Sequence, residues 1–383
     1  MEYSLPYIFV LCLFGICAYT FEHSNNKEER LCITSFSILV FFIFFAFRGY
    51  VYTDWTSYAY MLDNISWNDL FDFSINNKKT GFYEIGFTLL CLLCKSISSE
   101  YAFLIIVITT IDTVLFIRFL KQWNINNISF VFLLFITFEG INIMFNLIRN
   151  QISIFIFLNA LIYIEKRKPI QYFLLCTLAT SFHLSSIVFF PLYFFLHKKT
   201  NKWTFLCLSI AFFTFYLSNI SIVKSLTSLT GEGFLSNKVA LYTDVLTNAR
   251  EFSKSGTIEK IFMTMLIFFY YDELTKKYKG RYLFINCLLI YFFFYHVFAE
   301  FYDLSARLAI LFVFPYWIIW IDFTKMLYLE NNKKVITSIL FLYCFYITLN
   351  GYNEPIQEYD NLLFGGKTQQ ERLIILNRTF KEK

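Results

Sequence analysis

Apolar residues run through this chain in long blocks separated by short polar connections. The blocks fall near residues 4–20, 31–47, 85–98, 101–119, 128–146, 150–164, 170–196, 203–219, 258–271, 282–298, 308–324 and 335–349. A helix needs about 20 apolar residues to cross the hydrocarbon core, fewer where flanking groups snorkel. None of the blocks alternates polar with apolar positions, which argues against a transmembrane barrel. Backbone groups in lipid must be satisfied within their own segment, so each block predicts a helix. The expected fold class is all-α: a polytopic integral membrane helical bundle of roughly 10–13 helical segments, with re-entrant half-helices among them. Residues 4–20 follow only one early charge, Glu2, and predict a retained first span rather than a cleaved leader.

The charges between the blocks predict orientation. Basic runs at 166–168, 198–199, 276–281 and 333–334 place those connections in the cytoplasm. The transmembrane domain is expected over residues 1–350, with external loops 48–84 and 220–256 and an external tail at 351–383. This assignment creates a parity conflict, because only residues 170–196 separate two cytoplasmic runs. As one helix that block would be about 40 Å long and would cross; as two half-helices of about 20 Å each it would dip in and return. The second reading is preferred, with its apex near Ser181-Phe182-His183 and a polar cavity beside it, since irregular backbone at membrane depth needs protein or water around it. The short block 85–98 raises a similar conflict.

Composition narrows the function classes. A soluble domain of 383 residues could not hide a chain that is 57% hydrophobic with mean hydropathy +0.53. The 51 Phe and 27 Tyr suit a lipid-facing surface with aromatic belts. Net charge is only +5, and the basic residues form short runs rather than a face, which argues against nucleic acid as a partner. The cysteines sit almost wholly inside apolar blocks and read as small buried hydrophobes. Cys91 and Cys94 have paired spacing but no second pair to complete a zinc site. The sequence lacks a Gly-rich phosphate loop, a nucleophile elbow and an HExxH helix, so no cofactor and no metal is expected.

An ionisable group at a span end or inside the bilayer is costly and usually functional. Arg48 leaves the block 31–47, followed by Gly49 and by Asp54 among aromatics; its plain alternative is a snorkelling anchor. Arg149, in Asn146-Leu147-Ile148-Arg149-Asn150-Gln151, faces outside against the positive-inside bias. Its guanidinium fork matches phosphate, and the plain alternative is a pair with Glu139 or another carboxylate. His183, at the expected re-entrant apex, can move protons near neutral pH, although a lone His in an apolar run is usually a packing residue. His296, Glu300, Asp303 and Arg307 would share one helix stripe, but a break around 300–306 is expected, with Arg307 a second external cation and Glu300 or Asp303 its partner. Glu84 opens another span, where the helix dipole alone would favour a carboxylate.

Taken in order, Arg48-Gly…Asp54, Tyr83-Glu84-x-Gly-Phe, Asn146-x-x-Arg149, Ala179-x-x-Phe-His183-x-Ser185 and Ser305-x-Arg307 resemble the EpsG family, among the Wzy-like bacterial polysaccharide polymerases. The resemblance covers roughly residues 1–350. It departs at Asn150, where the family pattern has Gln with Gln151 one place later here, and at Ser153 in place of a small Ala. The resemblance implies an inner-membrane glycosyltransferase, active on the external side, that joins oligosaccharide repeat units carried on polyprenyl pyrophosphate. Membrane lipids surround it, and a separate chain-length regulator is a candidate partner. Arg149, Arg307 and Arg48 would then grip pyrophosphate, and His183 or Asp54 would take the acceptor proton. Glu84, Asn150, Gln151, Glu300 and Asp303 would support them. The transfer would invert the anomeric centre without a metal. A lipid-linked oligosaccharide flippase or another transporter, an O-antigen-type ligase and a membrane acyltransferase are the alternatives. A transporter would call for internal repeats, and no convincing one is visible between the halves.

Overall fold

The computed structural model describes residues 2–71, 84–218 and 254–381. Six helices among them have the length and apolarity to cross a membrane: Glu2–His23, Lys27–Ala46, Tyr101–Gln122, Ile128–Asn146, Leu304–Met326 and Glu330–Gly351. Shorter apolar helices accompany them at Ile85–Lys95, Pro169–Phe182, Leu184–Phe195, Lys202–Leu217 and Arg281–Val297. The all-α polytopic bundle predicted by the apolar blocks is the fold. Most of the expected loop 220–256, together with residues 72–83 of the loop 48–84, lies outside the described residues.

The chain forms two compact units, Met1–Tyr193 with Thr324–Lys383, and Phe194–Phe323. The first unit opens with α1 (Leu5–His23), α2 (Lys27–Ala46), α3 (Trp55–Asn64), α4 (Ile85–Lys95) and α5 (Tyr101–Gln122). It continues through α6 (Ile128–Phe135), α7 (Ile141–Asn146), α8 (Ile148–Glu165), α9 (Pro169–Phe182) and α10 (Leu192–Phe195). The second holds α11 (Lys202–Leu217), α12 (Lys254–Lys277), α13 (Arg281–Val297), α14 (Tyr302–Ala309) and most of α15 (Pro315–Met326). Helices α16 (Glu330–Gly351) and α17 (Gln369–Lys381) complete the first unit.

The core of the first unit is aromatic. Phe41 of α2 stacks on Phe132 of α6 at 4.3 Å, and Phe116 of α5 lies 5.1 Å from Phe155 of α8. Ser37 and Ser129 hydroxyls meet at 2.7 Å, the kind of small polar contact that holds helices together where water cannot drive them. The outer faces of α2 and α16 leave Phe36, Leu39, Ile339 and Leu342 exposed, as a lipid-facing surface requires.

The unit has two ends. Helix α2 is about 30 Å long from Lys27 to Ala46. Beyond it, Arg48 bridges Asn361 of the tail, and Tyr359 donates to the Phe44 carbonyl at 2.9 Å, so the tail packs against this end. Tyr50 stacks on Tyr101 at 5.5 Å, so the chain between them leaves and returns at the same end. Helix α4, only about 16 Å long, therefore does not cross, which removes the parity conflict at 85–98.

The block 170–196 is re-entrant. Helix α9 stops where His183 turns extended (φ −155°, ψ 126°). The following 3-10 segment returns alongside it, with the Tyr172 hydroxyl on the Phe189 carbonyl at 2.6 Å and Arg167 on the Tyr193 carbonyl at 3.2 Å. The apex falls at His183, where the charge pattern puts it. The block 128–146 also departs from a plain helix. It breaks over Ile136–Gly140, and Glu139 sits at φ 65°. Gly140 permits the break, because a Cβ there would stand 2.2 Å from the Phe135 carbonyl oxygen.

Candidate functional site

The break after α9 and the start of α4 meet through one carboxylate. Glu84 precedes α4 with an extended backbone (φ −67°, ψ 142°), which aims its side chain away from its own helix. Its Oε1 accepts from the Leu184 amide at 2.8 Å and lies 3.1 Å from Nδ1 of His183; its Oε2 accepts from Nη1 of Arg149 at 2.5 Å. Three segments distant in sequence are thus tied at a single group. The close approach depends on Gly86, where a Cβ would meet the Ser181 hydroxyl at 2.5 Å and its carbonyl oxygen at 2.8 Å. Ser153 of α8 donates to the Ala179 carbonyl at 2.8 Å, securing the last turn of α9 from its other side.

Glu84 lies outside the membrane-crossing helices. Burial pushes its carboxyl up, but the His183 bond, the Arg149 charge and the Leu184 amide overcome that effect and bring it down to about 2. The carboxylate is then ionised at neutral pH and can only accept. Nδ1 of His183 must carry the proton in the contact between them. A neutral His183 therefore keeps its lone pair on Nε2, the tautomer suited to a base. Arg149 is also fixed by Tyr58 of α3, which accepts from Nε at 3.0 Å.

Two buried amides follow Arg149 on α8. Asn150 and Gln151 are buried, and the Ser185 hydroxyl reaches Asn150 Oδ1 at 3.4 Å. The Gln151 amide, both N and O, and Nδ2 of Asn150 have no hydrogen-bond partner among the described residues. Buried amides without partners are unusual in proteins and mark places where a ligand or water completes the set.

The other residues singled out by sequence stand as follows. Thr53 bonds Asn146 at 3.1 Å, bringing the 48–54 segment to the end of α7, and Asp54 beside it is half-buried at the start of α3. Arg48 shares no contact with the Glu84 cluster. It is 2% exposed, donates to the Phe45 carbonyl at 2.8 Å and lies over the Phe145 ring at 5.1 Å. Arg307 belongs to the second unit, on α14, where it is exposed and pairs with no described carboxylate. Its expected partner, Glu300 or Asp303, is not decided, because the Asp303 side chain is outside the described residues. The break expected near 300–306 is present between α13 and α14; it contains Glu300, and the Asp303 side chain lies outside the described set. His296 is buried in the last turn of α13 beside Phe213 and Tyr216 rings, at 5.7 and 5.5 Å.

Sequence reasoning missed two features. Tyr58 was hidden among the aromatics of one segment. Glu139 was weighed only as a partner for Arg149, a place that Glu84 takes. The signal for Glu139 was a charge followed by Gly140 within an apolar block, a pattern that marks a broken helix.

The family model described as the EpsG family matches residues 31–361. No curated protein and no solved structure matched this chain. The family match reaches Asn361 of the tail, which bridges Arg48, and takes in the Glu84, Arg149 and His183 segments, and this polytopic membrane protein belongs to the EpsG family.

Proposed function

We propose that this protein is a membrane glycosyltransferase that polymerises polyprenyl-pyrophosphate-linked oligosaccharide repeat units into a surface polysaccharide of exopolysaccharide, O-antigen or capsule type. The observation that carries the reading is the single carboxylate holding a guanidinium and an imidazole side by side. Polymerisation needs both. The acceptor hydroxyl attacks the anomeric carbon of the growing chain and gives up its proton, while the bond from that carbon to the lipid pyrophosphate breaks and the pyrophosphate leaves with the electron pair. His183 takes the proton at Nε2, with Glu84 stabilising the imidazolium that forms. Arg149 meets the charge that builds on the departing diphosphate, where a preorganised cation in a partly dry site is most effective. Arg48 is assigned to holding the segment that carries Asp54 and Tyr58. The Gln151 and Asn150 amides offer hydrogen bonds to sugar hydroxyls. A direct displacement of this kind inverts the anomeric centre and needs no divalent ion. In this reading the reaction takes place on the external side of a bacterial cytoplasmic membrane; what supports it is that the basic connections 166–168 and 333–334 lie at the end of the first unit away from Arg149.

The test is complementation of a deletion strain, read as glycan length on a gel. The wild type restores long polymer. Loss of a polymerase leaves single repeat units at the surface, whereas trapped intracellular units would assign the chain to translocation instead. If both Arg149→Ala and His183→Ala restored full-length polymer, the site would be misassigned.

A further inference from the structure

A cavity lies at the end of the first unit opposite Glu84. It holds about 170 Å³ between the last turns of α1 and the first turns of α6 and α16. The chain places it far from Glu84: α6 starts beside the cavity at Asn127, and α7 ends at Asn146 next to Arg149. The walls change character in step. Along α16 the lining runs from Lys333 and Lys334, through Thr337 and Ser338, to Phe341, eight residues or about 12 Å deeper. Along α1 the same gradient runs from Glu22 and His23 through Tyr19 to the small residues Ala18 and Gly15. The small residues create the space, since even a Cβ at Gly15 would come within 2.6 Å of the Phe341 ring.

A slot with charges at the mouth, hydroxyls below them and an apolar floor has the profile of a phospholipid: phosphate, ester, acyl chain. The charge count selects the class. Lys325, Lys333 and Lys334 face Glu22 and Glu330, so the lysines and carboxylates of the lining sum to one net positive charge. One contact within this set is the Lys333–Glu22 pair at 3.0 Å. A headgroup with one net negative charge neutralises the remainder, and a zwitterionic one does not. Basic pockets between helix ends are a recurrent way of holding anionic lipid. We propose that this cavity is a binding site for one anionic phospholipid, its phosphate between Lys325 and Lys334 and one acyl chain running down to Gly15 and Phe341. The site is separate from the Glu84 cluster and independent of the catalytic reading.

The experiment uses the full chain in phosphatidylcholine nanodiscs, into which phosphatidylglycerol is titrated, with native mass spectrometry counting retained lipid. The wild type should retain one phosphatidylglycerol per chain, saturably and with about tenfold or greater preference over phosphatidylcholine, given the contribution expected of two lysines. Lys325→Gln with Lys334→Gln should lose most of that preference. Ser338→Trp, which fills the slot from an exposed position and leaves every charge in place, should abolish retention of the lipid. Equal retention of the two lipids by the wild type, or retention unchanged in both variants, overturns the proposal. Thermal unfolding of each variant in phosphatidylcholine alone separates lost binding from lost fold: if a variant matches the wild type there, its loss of lipid belongs to the site.

Discussion

At the scale of the residue, Glu84 is the group on which the candidate site turns. Replacing it by Gln keeps the volume and removes the charge that Arg149, His183 and the Leu184 amide all address. The expected cost is about 1–3 kcal/mol for each buried partner left poorly satisfied, and polymer formation should be lost. The pH dependence has a definite sign. A folded carboxyl held at about 2 against an ordinary value of 4.5 contributes stability that is fully present above 4.5 and disappears as pH falls through 2. The part of the wild type's advantage in unfolding temperature over Glu84→Gln that this carboxyl carries should therefore be complete above pH 4.5 and be lost as pH falls from 4.5 towards 2. A difference that widened on acidification would refute this account. His183→Ala should lower polymerisation by about 10²-fold or more, the usual contribution of a positioned base. Arg149→Lys keeps a positive charge but cannot reach Glu84 and Tyr58 from two edges of one planar group, so it should retain expression while losing most activity. Equal activity in the lysine variant would leave Arg149 as a simple charge.

At the scale of the element, the site depends on how closely two half-helices approach. Gly86→Ala puts a methyl against the Ser181 backbone, which cannot give way as a side-chain tip can. Moving α4 back by the needed distance costs about 1–3 kcal/mol by the usual measure of overpacking and pulls Glu84 off His183. Reduced polymer at near-normal expression, with Ser181→Gly as a partial rescue, is the expected result; a fully active Gly86→Ala would mean that the approach is unimportant. This is also where sequence legibility ran out. The blocks and the lysine runs made the bundle and the re-entrant turn at His183 readable, because burial and parity are one-dimensional constraints. The pairing of Glu84 with Arg149 was not readable. The residues lie 65 apart, and any of several carboxylates met the same one-dimensional requirement. The same ambiguity left two carboxylates, Glu300 and Asp303, open as the expected partner of Arg307. The tail showed no motif, yet it supplies a backbone bridge from Asn361 to Arg48 and a Tyr359 ring stacked on Phe44, long-range contacts that a one-dimensional pattern does not mark.

At the scale of the whole molecule, the proposal requires a particular sidedness, because lipid-linked repeat units are joined on the face away from the cytoplasm where they are made. The first unit fixes which positions share a face with Glu84. Tyr50 and Tyr101 stack at the Arg149 end, so the exposed Ser99 between α4 and α5 belongs there, while the exposed Lys121 closes α5 at the lysine-rich end. Two single cysteines, Ser99→Cys and Lys121→Cys, placed in a background where the exposed Cys32 and Cys207 are replaced, convert that geometry into a measurement. A membrane-impermeant maleimide added to intact cells with a permeable outer layer should label position 99 and spare position 121, and permeabilised cells should show both. By the positive-inside bias, the lysines near the second position would keep that face in the cytoplasm. If position 121 were labelled and position 99 protected, the Glu84 cluster would face the cytoplasm. Arg149 and His183 would then meet newly made precursors rather than translocated ones, and a role in assembling or translocating the repeat unit would replace polymerisation.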